Sequence, residues 1–350
     1  MAGALAVAEQ ECLILALNCG SSSLKYGVYR AGDKDPELVC EGEAEEIKDH
    51  GLALQEALEG LAQKGMTEFW KVGHRVVHGG PGVREHQTLR PEVLQKLQAA
   101  VPFAPLHLPA SLAVIEAVSE KMPGVPQVIC LDTAFHRTMP DVARTFALPA
   151  AVRNLGVERY GFHGLSVESI LAQLKPLPEK IVVAHLGNGA SLTAIEKGES
   201  RDTTMGLTPT GGIMMGTRCG DLDPGVMVFL ARHGFTSADA FEELVNKKSG
   251  LLGVSGLTND VRQLMNARAQ PSADLALRMF CYEVRKAIAA MAAALGGINL
   301  LVFTGGIGEH AHALREQICE TLNWIDSFEI RVLPAQEDLQ IARIALSCSK

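Results

Sequence analysis

Apolar residues along this chain follow two rhythms. Cys12-Leu-Ile-Leu-Ala-Leu-Asn18 is an unbroken run, which predicts a strand buried on both faces. A small-residue turn, Cys19-Gly-Ser-Ser-Ser23, follows it. Leu24-Lys-Tyr-Gly-Val-Tyr29 then alternates, which predicts the return strand of a hairpin. Further strands are expected near residues 72–77, 127–131, 181–185, 191–195, 300–303 and 328–333. Helical spacing covers about 52–64, 92–100, 109–121, 166–174, 238–247, 259–269, 273–295, 310–322 and 337–346. Strands alternating with helices predict an α/β protein.

The hairpin has an echo. Ala16-Leu-Asn-Cys-Gly-Ser-Ser-Ser-Leu24 can be laid over Ala184-His-Leu-Gly-Asn-Gly-Ala-Ser-Leu192, an offset of 191 − 23 = 168 residues. In both, an apolar strand meets a tip of Gly, Ser and Asn, and Ser-Leu opens the return strand. This predicts two copies of one α/β unit with a ligand cleft between them.

Composition narrows the classes. The 350 residues suffice for two domains of ordinary size. A net charge of −8 leaves no basic footprint for nucleic acid, so an anionic ligand must be met locally by placed cations and backbone N–H groups. The eight cysteines include no C-x-x-C pair, which predicts reduced thiols in a cytoplasmic protein rather than a zinc or disulfide framework. The N-terminus lacks a basic signal-type region. The longest apolar stretch, about 287–303, is broken by Gly296, Gly297 and Asn299, so no membrane association is expected.

Three Gly-rich tips carry candidate anion chemistry. In Asn18-Cys-Gly-Ser-Ser-Ser-Leu-Lys25, small side chains expose backbone N–H groups, the hydroxyls of Ser21 to Ser23 add donors, and Lys25 adds charge. His185-Leu-Gly-Asn-Gly-Ala-Ser191 is the second tip. Thr304-Gly-Gly-Ile-Gly-Glu309 is read as a loop between a strand and a helix. None has Walker A or G-x-G-x-x-G spacing. Arg75, in Gly73-His-Arg-Val-Val-His-Gly-Gly80, and Arg218, in Gly216-Thr-Arg-Cys-Gly-Asp221, sit in apolar or glycine-rich settings. A guanidinium there calls for a carboxylate, a phosphate or a structural ion pair. Asp132, Asp221, Asp223, Asp260 and Glu309 are candidate Mg²⁺ carboxylates among which spacing does not choose. His163, in Arg159-Tyr-Gly-Phe-His-Gly164, reads as either a packed or a functional histidine. The His74 and His78 pair lies on a β-prone segment, which argues against a zinc site.

These segments resemble the acetate kinase motifs, in order, from residue 12 to about 345: the Asn18–Lys25 and His74–Gly80 strings, Asp132-Thr-Ala-Phe-His136, the turn around His163, His185-Leu-Gly-Asn-Gly189, Met215-Gly-Thr-Arg-Cys-Gly-Asp221 and Phe303-Thr-Gly-Gly-Ile-Gly-Glu309. The resemblance implies the acetate and sugar kinase/Hsp70/actin fold, two ribonuclease H-like domains with an interdomain cleft. They would cover residues 1–135, joined by 336–350, and 136–335. It implies phosphoryl transfer between ATP and acetate, Mg²⁺, and a homodimer formed through the second domain, with helix 273–295 as candidate contact.

By motif matching, Asn18 and Glu337 would serve the metal. Lys25, Ser21 and Ser23 would lie near the nucleotide phosphates, with His185, Leu186, Gly187, Asn188 and Gly189 as the second phosphate loop. Asp260, Val261 and Arg262, with Gly306, Ile307, Gly308, Glu309 and His310, would hold the adenosine end. Arg75 would meet the substrate carboxylate. Val77, Leu106, Phe162 and Pro209 would form the methyl pocket. Asp132 would be the essential aspartate, as a metal or positioning group, and His163 and Arg218 would stabilise the transition state.

The chain departs from the family pattern by being short before Gly73. Leu108 stands for Asn, Thr210-Gly-Gly212 for Leu-Glu-Gly, and His310 for Asn. Ala335-Gln-Glu-Asp338 is a loose acidic motif. Alternatives are a propionate or other short-chain carboxylate kinase, a pyrophosphate-dependent enzyme, and a non-catalytic nucleotide sensor on the same fold.

Overall fold

The unbroken apolar run lies where such a run must, in the middle of a sheet. In a computed structural model that describes residues 12–20, 23–32, 35–45, 47, 49–325 and 327–348, strand β1 (Leu13–Cys19) is buried along its whole length. The chain divides into two compact units, Met1–Leu131 with Gln336–Lys350, and Asp132–Ala335.

In the first unit β1 joins β2 (Ser23–Arg30), β3 (Glu37–Glu45), β4 (Lys71–Val76), β5 (Gln87–Thr88) and β6 (Gln127–Leu131) in a six-stranded sheet ordered β3-β2-β1-β4-β6-β5. β1 to β3 form an antiparallel meander, and β4 and β6 are added in parallel. Side chains alternate across a strand. Leu13, Leu15 and Leu17 therefore pack with Leu54, Leu61, Val114 and Val118, which come from helices His50–Gln63 and Leu108–Lys121. Asn18 has the opposite parity. It reaches the C-terminal helix Glu337–Ser347, which lies against β1, β4 and β6. Buried Lys71 fixes the far end of that helix by donating to the carbonyls of Ala345 and Cys348, where a cation suits the helix dipole.

In the second unit β7 (Lys180–Leu186), β8 (Ala190–Glu196), β9 (Glu199–Thr203), β10 (Leu300–Thr304) and β11 (Glu329–Val332) form a sheet ordered β11-β10-β7-β8-β9. Val167 and Ile170 of helix Gly164–Gln173 share a core with Ile181, Val183, Ile195, Leu300 and Val302. The long helix Pro271–Leu295 packs on β7 and β8 through a helical stripe that includes Leu277, Phe280, Val284 and Ile288. Among the described residues no helix is long and apolar enough to cross a membrane.

The two sheets repeat one plan, an antiparallel three-strand meander followed by two parallel strands. The residue-by-residue overlay at offset 168 is not kept. The first hairpin closes with Cys19 opposite Leu24, the second with Leu186 opposite Ala190, so their tips differ in length.

Several expected elements differ. The stretch 310–322 is not one helix. Gly305–His310 and His312–Cys319 are separate helices, broken at Ala311 (φ −91°, ψ 71°). The Thr304–Glu309 segment is therefore mostly helix rather than loop. The helix expected over 259–269 is Val261–Asn266, because the Asp260 carboxylate accepts from Arg262 N at 2.8 Å and caps it. β3, β9 and helix Pro224–Arg232 lack the expected signal, β3 because its outer half alternates exposed Glu41, Glu43 and Glu45.

Candidate active site

In the first unit, β1 and β4 run parallel and bring Asn18 and Arg75 to one end of the sheet. Arg75 Nη1 donates to Asn18 Oδ1 at 2.9 Å and lies 3.7 Å from Glu337 Oε2. Asn18 Nδ2 donates to Asp338 Oδ1 at 2.8 Å and, more weakly, to Glu337 Oε2 at 3.5 Å. Asn18, Arg75, Glu337 and Asp338 thus form one connected group. Asp338 was not among the expected site residues, yet it is the nearer carboxylate. Burial pushes its carboxyl above the usual range, and the Asn18 amide offsets part of that. The available signal was the Glu337-Asp338 pair opening a helix. Glu337 and Asp338 offer two carboxylates whose hard oxygens suit Mg²⁺, while Asn18 turns its Nδ2 to them and its Oδ1 to Arg75. Among the described residues no group of three or more His, Cys, Asp and Glu could hold a metal. An ion here would complete its shell with water and phosphate oxygens, which is the habit of Mg²⁺.

Lys25 lies outside that group, half exposed and paired with Glu43 at 3.2 Å. Ser21 lies outside the described residues, and Ser23 accepts from Gly20 N through its carbonyl. Val77 and Leu106 belong to this unit, Val77 buried and Leu106 partly so, and Leu108 is sealed in the core.

In the second unit the tip between β7 and β8 gathers the chemistry. His163 has left-handed backbone (φ 58°) at the start of helix Gly164–Gln173, which throws its ring across the sheet end. Its Nδ1 lies 2.9 Å from Ser191 Oγ, and its ring stacks on His185 at 4.2 Å between centroids. His185 Nδ1 in turn lies 2.8 Å from Ser166 Oγ. The two hydroxyls fix both rings, a pairing that sequence reading did not find. A Cβ built on Gly189 would lie 3.2 Å from His163 Nε2 and 3.3 Å from Arg218 Nη1, so an imidazole and a guanidinium converge on this glycine. Arg218 Nη1 also donates to Pro209 O at 3.2 Å. Asp132 is buried, and its carbonyl accepts from Gly164 N at 2.8 Å, which ties it to the His163 turn. Phe162 is buried, with its carbonyl on His136 Nε2.

Beyond the tip lies a cavity of about 870 Å³. Gly187, Asn188, Asp260, Val261, Arg262, Gly306, Ile307 and His310 line it, as do Asn259, Met265, Asn266 and Ala311 to Leu314, which were not expected. Helical spacing from Val261 and Arg262 points to Met265 and Asn266, a signal that was present in the sequence. Leu186 and Gly308 are buried instead. Glu309 turns its carboxylate back onto Gly305 N and Ala335 N.

Residues 39–331 match the family described as the Acetokinase family. An acetate kinase of Rhodopseudomonas palustris is 41% identical over 346 residues, covering 89% of this chain and 87% of that protein. The crystal structure of Porphyromonas gingivalis acetate kinase superposes with a TM-score of 0.87 at 34% identity, over 97% of this chain and 100% of that one. A propionate kinase from Francisella tularensis superposes with the same score at 32% identity and the same coverage.

Proposed function

This chain belongs to the acetokinase family and is a phosphotransferase acting on a carboxyl group, and from that premise we propose that it moves the γ-phosphoryl group of Mg-ATP onto acetate by direct attack of the carboxylate. The observation that carries this reading is the convergence of His163 and Arg218 on Gly189, a tip whose neighbours Gly187 and Asn188 line the large cavity. A protein that only senses nucleotide needs the cavity but not the paired donors beside it.

The chemistry asks for such donors. Acetate is ionised at neutral pH, so no base has to remove a proton from it. The difficulty is the repulsion between two anions. Transfer through a loose transition state spreads charge over the equatorial oxygens and rewards fixed cations and N–H donors there. His163 and Arg218 take that task on this reading, and the hydroxyls of Ser191 and Ser166 keep the stacked rings from turning. Arg75 takes the acceptor carboxylate, which its planar fork matches. Asp132, buried and tied to the His163 turn by its main-chain carbonyl, takes the role of a metal or positioning group with its carboxylate. Glu337 and Asp338, positioned by Asn18, would hold Mg²⁺, which when bound neutralises phosphate charge. The cavity bounded by Asn188, Arg262, Gly306 and Ile307 takes the nucleoside.

We also assign a homodimer and a cytoplasmic location. Support for the dimer comes from apolar side chains left exposed in the second unit, with Val228 52%, Phe229 59% and Tyr282 59% exposed. Sedimentation at micromolar concentration tests it, and a monomer would refute it.

Trapping the product with hydroxylamine tests the reaction. Protein, Mg-ATP and acetate, propionate or butyrate are incubated in parallel. Acetyl hydroxamate is expected, and the three rates rank chain length, since one methylene in an apolar pocket is worth only ~1–3 kcal/mol. No hydroxamate from any acid would overturn the reading.

A further inference from the structure

Arg218 sits on a loop whose Met215–Cys219 stretch is tied to its neighbours, by Gly216 N on Asn188 O at 3.3 Å, Cys219 N on Val245 O at 2.9 Å and Leu251 N on Met215 O at 2.9 Å, while the preceding residue Met214 is held by a side chain far away in sequence. The ends of the loop are tied to each other: Asp221 N donates to Gly212 O at 2.7 Å, and Gly212 N donates to Asp221 Oδ1 at 2.8 Å. Its middle is closed by Met215 N on Arg218 O at 3.0 Å. Gly250 presses on this turn from outside, where a Cβ would lie 2.2 Å from Met215 O and 2.8 Å from Arg218 O. Between these rungs the Met214 amide points out of the loop. It donates to Glu283 Oε2 at 2.6 Å. Glu283 stands on the long helix Pro271–Leu295, next to the buried residues Phe280 and Val284, so its backbone is fixed by the core.

We propose that Glu283 is a positioning residue for the phosphoryl-transfer step: its carboxylate, anchored on the core helix, holds the Met214 amide and so sets the Gly212–Asp221 loop at the height from which Arg218 reaches Gly189. The proposal rests on the reading of Arg218 as a group that meets the transferred phosphoryl. What matters is the reach of an acceptor oxygen rather than the charge. Asp221 and Lys286 are the charged groups nearest to Glu283 in effect, with opposite signs.

Three variants separate reach from charge. Glu283→Gln keeps an acceptor oxygen at the same distance and drops the charge. Glu283→Asp keeps the charge and withdraws the oxygen by one bond, ~1.5 Å. Glu283→Leu removes both. The expected result is a kcat about tenfold lower for Asp and Leu, with the KM for ATP changed less than about twofold and most of the rate restored in Gln, because an amide deprived of its acceptor no longer holds its place. In an Arg218→Ala background, Glu283→Asp should cost nothing further. If Leu does not fold, as judged by circular dichroism, the Gln and Asp pair decides. Wild-type kcat in Asp, loss in Gln with none in Asp, or a full additional loss in the Arg218→Ala background would each overturn the proposal. Wild-type rate in Arg218→Ala alone would instead overturn the role given to Arg218, and the proposal with it.

Discussion

Gly189→Ala is a small change aimed at the centre of the account. Gly189 lacks a positive φ, so the main chain accepts alanine without strain. The new methyl would lie 3.2 Å from His163 Nε2 and 3.3 Å from Arg218 Nη1, where ordinary contact begins at 3.4 Å, so each group must yield by a few tenths of an ångström. His163 is held by Ser191 and by the His185 ring, and Arg218 by Pro209 O, so both shift against fixed partners. A misplacement of ~1 Å near a reacting centre costs ~100-fold, and half that distance about tenfold. Steady-state kinetics should therefore show kcat down about tenfold, with a melting temperature within ~2 °C of wild type. ATP affinity by calorimetry should stay within about threefold, because the cavity wall is formed by Gly187 and Asn188 rather than by this residue. A kcat within twofold of wild type would mean that the two donors do not act where they converge.

Three further outcomes are expected. Gly306→Val should raise the KM for ATP about tenfold with kcat little changed, because a Cβ at Gly306 meets nothing within 4 Å and Gly306 lines the cavity; an unchanged KM would remove the nucleoside from that cavity. Asn18→Ala should raise the Mg²⁺ concentration for half-maximal rate at least about tenfold, since it removes the amide that positions the Asp338 and Glu337 carboxylates and links them to Arg75; an unchanged metal titration would refute the assignment. Burial holds the imidazoles of His74 and His136 neutral down to about 4. Their folded values lie below the ordinary 6.5, so the stability they allow is present above that pH and is lost as pH falls towards 4, by about 3 kcal/mol per histidine. Chemical denaturation from pH 7 to 4 should show that decline, and His136→Gln should flatten it; equal slopes would contradict it.

Much of this was legible in the sequence because burial on both faces leaves no choice of residue. β1, β6, β7 and β10 read as unbroken apolar runs for that reason. β3 was illegible because an edge strand faces water and carries glutamates. Arg75 and Arg218 stood out because a guanidinium among glycines and apolar residues needs an explanation. Asp338 and Glu283 did not, because their meaning comes from partners far away in the chain, Asn18 at 320 residues and Met214 at 69. A carboxylate on a helix looks like an ordinary solvated residue until the fold brings a donor to it.

The central claim is that this chain makes a carboxyl–phosphate anhydride from ATP, and phosphorus NMR tests it most directly. Wild-type protein with Mg-ATP and acetate should show an acetyl phosphate resonance growing in step with ADP, and Arg218→Ala should slow it by ~100-fold or more. ADP appearing with inorganic phosphate and no acetyl phosphate, or no turnover at all, would contradict the account.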